Sequence, residues 1–141
     1  MSVRLLVAVP SMKQSLNVLY RSAAEEFAAR VRSGLGDQVD SIVLYGSAAR
    51  GEAKRYSDVD MLIISPVPKN IREKISTIRS DFAYESNYAF FISLAHLGRD
   101  EIEGLIRLGS PFIQDVVVEG VVLYDNGVFS RLRERAVSAG R

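Results

Sequence analysis

Ile42-Val43-Leu44-Tyr45-Gly46-Ser47-Ala48-Ala49-Arg50-Gly51-Glu52, continued after a polar gap by Ser57-Asp58-Val59-Asp60-Met61-Leu62-Ile63-Ile64, is the stretch on which the fold turns. Two short apolar runs of strand length are joined by a segment that opens on Gly-Ser and closes on two alternating carboxylates. In a strand, residues i and i+2 point to the same face, so Asp58 and Asp60 are expected to converge. Two carboxylates that close repel each other unless a cation neutralises them. Carboxylate oxygens favour magnesium, which keeps several waters and takes its remaining ligands from phosphate. Read alone, Ser57-Asp58 is equally a turn and Asp60 a solvated edge residue.

The upstream glycine and serine shift that balance. Glycine lets a phosphate approach the backbone, and the Ser47 hydroxyl and adjoining amides supply donors, with a helix start near Ala48 adding partial positive charge. Gly-Ser by itself is a common turn. Joined to Asp58 by ten intervening residues, it becomes a specific pattern for a nucleoside triphosphate and its metal.

Working outward, apolar residues Leu16, Leu19, Tyr20, Ala23, Phe27 and Val31 recur at helical spacing, giving a long helix from Ser11 to about Ser33 that ends at Gly34 and Gly36. Ser41–Tyr45 and Val59–Ile64 read as buried strands, the second stopped by Ser65-Pro66-Val67-Pro68. Asn70, three residues ahead of Glu73, predicts a helix start, with Ile71, Ile75, Ile78 and Phe82 as its apolar stripe. Tyr88–Leu97 is a third strand, and the capping pattern at Asp100 predicts a helix through Leu108. Ser110-Pro111 opens another helix carrying Phe112, Ile113, Val116 and Val117. Val121–Tyr124 is a short extended run, Asp125-Asn126-Gly127 a turn, and Val128–Val137 a last helix. Strands interleaved with helices predict an α/β (α+β) fold, a small mixed sheet flanked by helices.

The totals fit one domain spanning residues 1–141, since 141 residues can bury a real core. The sequence is 48% hydrophobic and 25% charged, the composition of a soluble globular chain. Net charge is +1, and neither half is strongly charged: residues 1–70 carry nine basic and seven acidic side chains, residues 71–141 nine and ten. With no basic stripe interleaved with aromatics, nothing signals direct nucleic-acid binding. The absence of cysteine excludes disulfides, thiolate metal sites and cysteine nucleophiles, and is compatible with a cytoplasmic location. Residues 1–10 hold an apolar run too short to span a membrane; it reads as an extended arm or an extra strand, and its need for cover motivates a homodimer.

Gly46, Ser47, Asp58 and Asp60 match the Gly-Ser, ten residues, Asp-x-Asp signature that this sequence shares with the minimal nucleotidyltransferases of the DNA polymerase beta-like superfamily, which it resembles. The likeness is strongest over these fifteen residues and extends more weakly over 37–97. It implies a small mixed sheet with helices on one face and transfer of a nucleoside monophosphate from a triphosphate. By the same resemblance Asp58 and Asp60 bind Mg2+ or Mn2+ and carry catalysis, while Gly46, Ser47 and Arg50 bind the nucleotide. Arg50 equally reads as a solvated arginine paired with Glu52.

Active relatives commonly carry a third carboxylate on the following strand. Tyr88–Leu97 has none; Glu85, just before it, is the candidate, with Asp81 behind it. His96 reads as a loop histidine or a phosphate neighbour. Tyr45 reads as core, and Tyr56 as available to stack on a base. Lys54 and Arg55 read as solvated loop residues.

The resemblance extends to the antitoxin halves of modules whose other half is a helical HEPN ribonuclease, which transfer AMP from ATP to a tyrosine of the toxin. It implies such a HEPN-like helical partner here. The small size leaves the second substrate to be held by a protein. The alternatives are a small-molecule nucleotidyltransferase that completes its pocket by dimerising, and a weakly catalytic subunit that masks a toxin by docking.

Overall fold

The computed structural model describes residues 9–139. The predicted arm over 1–10 therefore lies outside the described residues except for Val9 and Pro10, which are exposed.

The first described element is α1 (Met12–Leu35), whose start is fixed by a capping box: the Ser11 hydroxyl accepts the Gln14 amide, and the Gln14 side chain accepts the Ser11 amide. A 3-10 turn leads into β1 (Ser41–Tyr45), α2 (Gly46–Ala49) and β2 (Val59–Ile64). Then come α3 (Lys69–Glu85), β3 (Ile92–Leu97), α4 (Arg99–Arg107), α5 (Pro111–Glu119), β4 (Val121–Asp125) and α6 (Val128–Ala139). Among the described residues four strands stand in the order β3-β2-β1-β4. β1 pairs antiparallel with β2 and β4, and β2 pairs parallel with β3 across the α3 crossover.

β1 and β2 are central and apolar on both faces, as continuous hydrophobic runs require. Ile42, Leu44, Val59, Met61 and Ile63 pack with α1 and α3, where Phe27 and Phe82 meet edge to face at 5.8 Å. Val43, Leu62 and Ile64 pack with α4, α5 and α6. Helices thus cover both faces of the sheet, not one as the resemblance implied, because both faces of its central strands are apolar.

Some boundaries moved for local reasons. Gly34 lies inside α1, which ends instead at Gly36. Asn70 caps nothing: α3 begins one residue earlier, behind Pro68. Asn87 and Tyr88 both adopt left-handed backbone, with φ of 55° and 57°, which delays β3 to Ile92. α4 is capped at Gly98, whose amide donates to Glu101, so Asp100 sits within the first turn.

The sheet end away from the Gly46 turn is tied by two carboxylates, the buried Asp40 and the half-buried Asp125. Asp40 accepts a two-pronged contact from Arg99 at 2.8 and 3.1 Å and a third bond from Asn126, and the Arg99 guanidinium holds its carboxyl below the usual range. Asp125 caps α6. Burial alone pushes its carboxyl up, but bonds from Ser130, Ser41 and the Phe129 and Gly127 amides outweigh that and hold it at about 2. A depressed folded value means that the stabilisation is fully present above the unfolded carboxyl value of ~3.9 and is lost as pH falls through the folded one. Asp125→Ala is accordingly expected to cost about 1–2 kcal/mol at pH 7, after discounting for solvent screening. In urea unfolding the gap between variant and parent should narrow between about pH 4 and pH 2; a gap that does not change with pH would contradict this.

Candidate functional site

The strand register places the motif at one end of the sheet. Tyr45, the last residue of β1, lies opposite Asp60 of β2. Directly after Tyr45 the chain turns through Gly46 into the single turn of α2. Asp60 alternates with Val59 and Met61, so its side chain belongs to the face of Leu62 and Ile64, beneath the α5 side of the molecule.

Gly46 is a glycine for two reasons that act together. Its φ is +72°, in the left-handed region. A Cβ there would also fall 2.1 Å from Asp60 Oδ2. The carboxylate thus occupies the space left by the missing side chain, and the turn and the second aspartate interlock. The sequence pattern offers Gly46 as a place for phosphate to approach; in the structure it is the Asp60 carboxylate that lies against it.

Asp58 is exposed and Asp60 half-buried. The Asp60 carboxyl is pushed up, first by burial and then by the charge of Asp58, with Glu119 adding to the rise and a bond from Ser93 and the charge of Arg50 opposing it. Burial, with a further push from Asp60, also drives the Tyr45 hydroxyl up to about 12; Tyr45 is half-buried, edge to face with Phe112 at 5.4 Å, and stays neutral at physiological pH. A raised carboxyl destabilises the folded state once pH exceeds the unfolded value. Asp60→Asn is therefore expected to raise the metal-free melting temperature by roughly 1–4 °C at pH 7. A lower melting temperature would show that Asp60 is held by favourable contacts instead.

The strand neighbour of Asp60 on β3 is Ser93. This is where a third carboxylate on the following strand would stand, and a hydroxyl stands there instead. Glu85 does not take its place: it ends α3, pairs with Arg30 of α1, and so lies on the sheet face opposite Asp60. Asp81 is exposed on α3. His96 is within β3 rather than on a loop, half-buried, with Nε2 2.6 Å from the Ser65 hydroxyl; burial pulls its titration down.

The carboxylate that does join the turn was not foreseen. Glu119, the last residue of α5, accepts the Gly46 amide on Oε1 at 3.0 Å and pairs through Oε2 with Arg50 Nη1 at 2.8 Å. Arg50 also donates from Nε to Glu52 at 3.2 Å, so the expected Arg50–Glu52 pair is present as one half of a larger arrangement. Asn17 of α1 was missed as well. Its side-chain amide donates to Gly51 O at 2.7 Å and accepts the Ala53 amide at 3.0 Å, fixing the loop that leads to Asp58. Near Asp58, Tyr56 is 95% exposed in a left-handed conformation with φ of 66°.

Among the described residues no three His, Cys, Asp or Glu side chains converge in an arrangement that holds a metal. Asp58 and Asp60 nevertheless suit a hard divalent cation: oxygen donors, one pushed toward protonation by its surroundings and relieved by positive charge. Two protein ligands match an ion that keeps waters and takes phosphate oxygens.

A sequence model described as the nucleotidyltransferase domain matches residues 24–120, a span that includes the whole Gly46–Asp60 stretch and Glu119. Among curated proteins, the chain is 30% identical over 106 residues to "Putative protein adenylyltransferase MJ1305" of Methanocaldococcus jannaschii, covering 74% of this chain and 71% of that one. A second protein of the same organism, "Putative protein adenylyltransferase MJ0141", is 35% identical over 69 residues, 49% of this chain and 70% of that one. The fold recurs in a chain of a crystal structure described as a toxin-antitoxin with AMP-PNP, at TM-score 0.51 and 17% identity over 82% of each chain. It recurs also in a toxin-antitoxin MntA-HpeT mutant, D39ED41E, at TM-score 0.53 and 14% identity over 81% of this chain and 84% of that one. Because the matched span covers more than half of the sequence, and the turn, the paired aspartates and the mixed sheet all fall inside it, this chain belongs to the nucleotidyltransferase domain family.

Proposed function

We propose that the chain transfers AMP from ATP to a hydroxyl of a protein partner, in the manner of an antitoxin that modifies its toxin, with Asp58 and Asp60 holding Mg2+ or Mn2+. The observation that carries the nucleotide part is the interlock of Asp60 with Gly46, which sets a cation-seeking carboxylate against the backbone of the Gly-Ser turn. The protein acceptor is supported by the names of the curated relatives and by the toxin-antitoxin structures that share the fold. A HEPN-like helical protein is the partner this reading names, and the ATP-rich cytoplasm its setting.

In this reading Ser47 donates its hydroxyl to the outer phosphates, and the exposed Asp58 and half-buried Asp60 flank the reacting phosphate. The acceptor oxygen forms a bond to the α-phosphorus as the bond to the pyrophosphate oxygen breaks, and the hydroxyl proton leaves with solvent or to a residue of the partner. When bound, the divalent ion would polarise the α-phosphate and offset charge on the departing pyrophosphate. Arg50, already paired with Glu119 and Glu52, contributes as a fixed donor at the rim of the turn and not as a free cation.

One observation favours a second reading. Ser93 stands where β3 would bring a carboxylate beside Asp60, so deprotonation of the acceptor is unassisted by that strand. A chain limited in this way acts as a masking subunit that docks on its toxin. The experiment is transfer of label from α-labelled ATP, with Mg2+, to the protein encoded beside this chain. Labelling of a tyrosine, abolished by Asp58→Asn, supports transfer; partner inhibition that survives both Asp58→Asn and Asp60→Asn, with no label, supports masking.

A further inference from the structure

The corner where α5 meets β4 is built to reach the turn at the end of β1. Gly120 permits the approach: a Cβ there would lie 2.3 Å from Val116 O and 2.8 Å from Val43 Cγ1 of β1, so only glycine lets the corner seat against the central strand. The corner is then held from outside by Arg133 of α6, which donates to Gly120 O at 2.9 Å while its guanidinium lies over the Phe129 ring. Glu119, one residue earlier, is thereby delivered to the turn with its side chain only 18% exposed.

There the carboxylate grips two groups at once. Oε1 fixes the amide of Gly46, the residue whose Cα backs Asp60, and Oε2 fixes the guanidinium of Arg50, the residue that follows α2. A single side chain so sets both ends of the one-turn segment Gly46–Ala49. Holding a partly buried anion beside the turn that Asp60 backs costs electrostatic energy. An uncharged acceptor would hold the amide without that cost.

We infer that Glu119 is a positioning residue of the nucleotide site, clamping the Gly46 amide and the Arg50 guanidinium so that the Gly-Ser turn and Asp60 keep the spacing a triphosphate needs. This rests on the nucleotide part of the proposed function and is independent of what the acceptor is. It gives the C-terminal part of the matched family span a role in the site that strand and turn motifs alone do not supply.

The test is equilibrium binding of ATP with Mg2+ to the parent chain, Glu119→Gln and Glu119→Ala, with thermal unfolding measured alongside. A positioning clamp works through acceptance of two hydrogen bonds on separate oxygens; glutamine keeps one acceptor oxygen and turns an NH2 toward the other donor, and alanine keeps neither. Binding is expected to weaken about 10–100-fold in Glu119→Ala and by a smaller factor in Glu119→Gln, which keeps one of the two bonds. Should Glu119→Ala not fold, Glu119→Asp, one methylene short of the turn, carries the same test with a smaller loss. Equal ATP affinity in the parent and the shortened variants would reduce Glu119 to a structural residue and overturn the inference, as would tighter binding in both Gln and Ala variants, the mark of a carboxylate that merely obstructs phosphate. ATP binding by the parent without transfer to any protein would sink the proposed acceptor and leave this inference standing; no ATP binding by the folded parent would end both.

Discussion

Asp58→Asn and Asp60→Asn are each expected to lower nucleotidyl transfer by at least about a thousandfold, the equivalent of roughly 4 kcal/mol of transition-state stabilisation. Either substitution leaves shape almost unchanged and removes one of two charges that a divalent ion needs. The two variants should differ in stability though not in activity. Asp58 is exposed, so its replacement should relieve only its repulsion of Asp60 and shift thermal unfolding little, whereas replacing the half-buried Asp60 also relieves a desolvated charge. A site whose activity falls as its stability rises is one in which stability has been given up for function. Turnover within tenfold of the parent in either variant, measured with saturating Mg2+, would mean that the aspartates are not where the chemistry occurs.

Gly46→Ala carries the second large effect. Its methyl group would have to share space with Asp60 Oδ2 at 2.1 Å, and its backbone would have to hold φ at +72°. Relief requires either that the carboxylate swing away or that the turn leave the left-handed region; both dismantle the site. Strain and overpacking of this kind cost about 2–4 kcal/mol in stability, and a displacement of about 1 Å is enough to reduce transfer by roughly a hundredfold. Gly109→Ala is the matched control, because Gly109 also has a left-handed φ, +68°, but its Cβ would meet nothing within 4 Å. That variant should lose about 1 kcal/mol and no activity. If both substitutions impaired transfer equally, backbone strain and not the contact with Asp60 would be the cause.

How much of this was legible depended on how local the cause was. β1 and β2 have the bounds the sequence predicted, because each is a buried apolar run stopped by residues that cannot extend a ladder. Ser11 and Pro111 start helices where their chemistry says they should. Asn70 misled because capping needs a backbone geometry that Pro68 had already supplied two residues earlier. The late start of β3 came from two consecutive left-handed residues, Asn87 and Tyr88, and tyrosine gives no warning of that conformation.

In the candidate site the pattern is the same. Gly46, Ser47, Asp58 and Asp60 lie on one hairpin-like stretch, and their spacing reports their proximity. Glu119 is 73 positions from Gly46, and no local motif links them. The one available signal was its place: a glutamate followed by glycine at a helix end, directly ahead of a strand that could pair with β1. Glu85 was a candidate only for its closeness in sequence to β3, yet α3 lies across the other face of the sheet, where Arg30 engages it. Which face a helix covers is set by the whole core, and a single apolar stripe does not encode it.

The central claim is that Gly46 to Asp60 forms a site for a nucleoside triphosphate with a divalent cation. Calorimetric titration of the purified chain with ATP, in the presence and absence of Mg2+, tests it most directly. The expected result is saturable binding of one ATP per chain that depends on Mg2+ and is lost when Asp58 and Asp60 are both replaced by asparagine. Binding of equal strength in that double variant, or no binding by the folded parent, would contradict it.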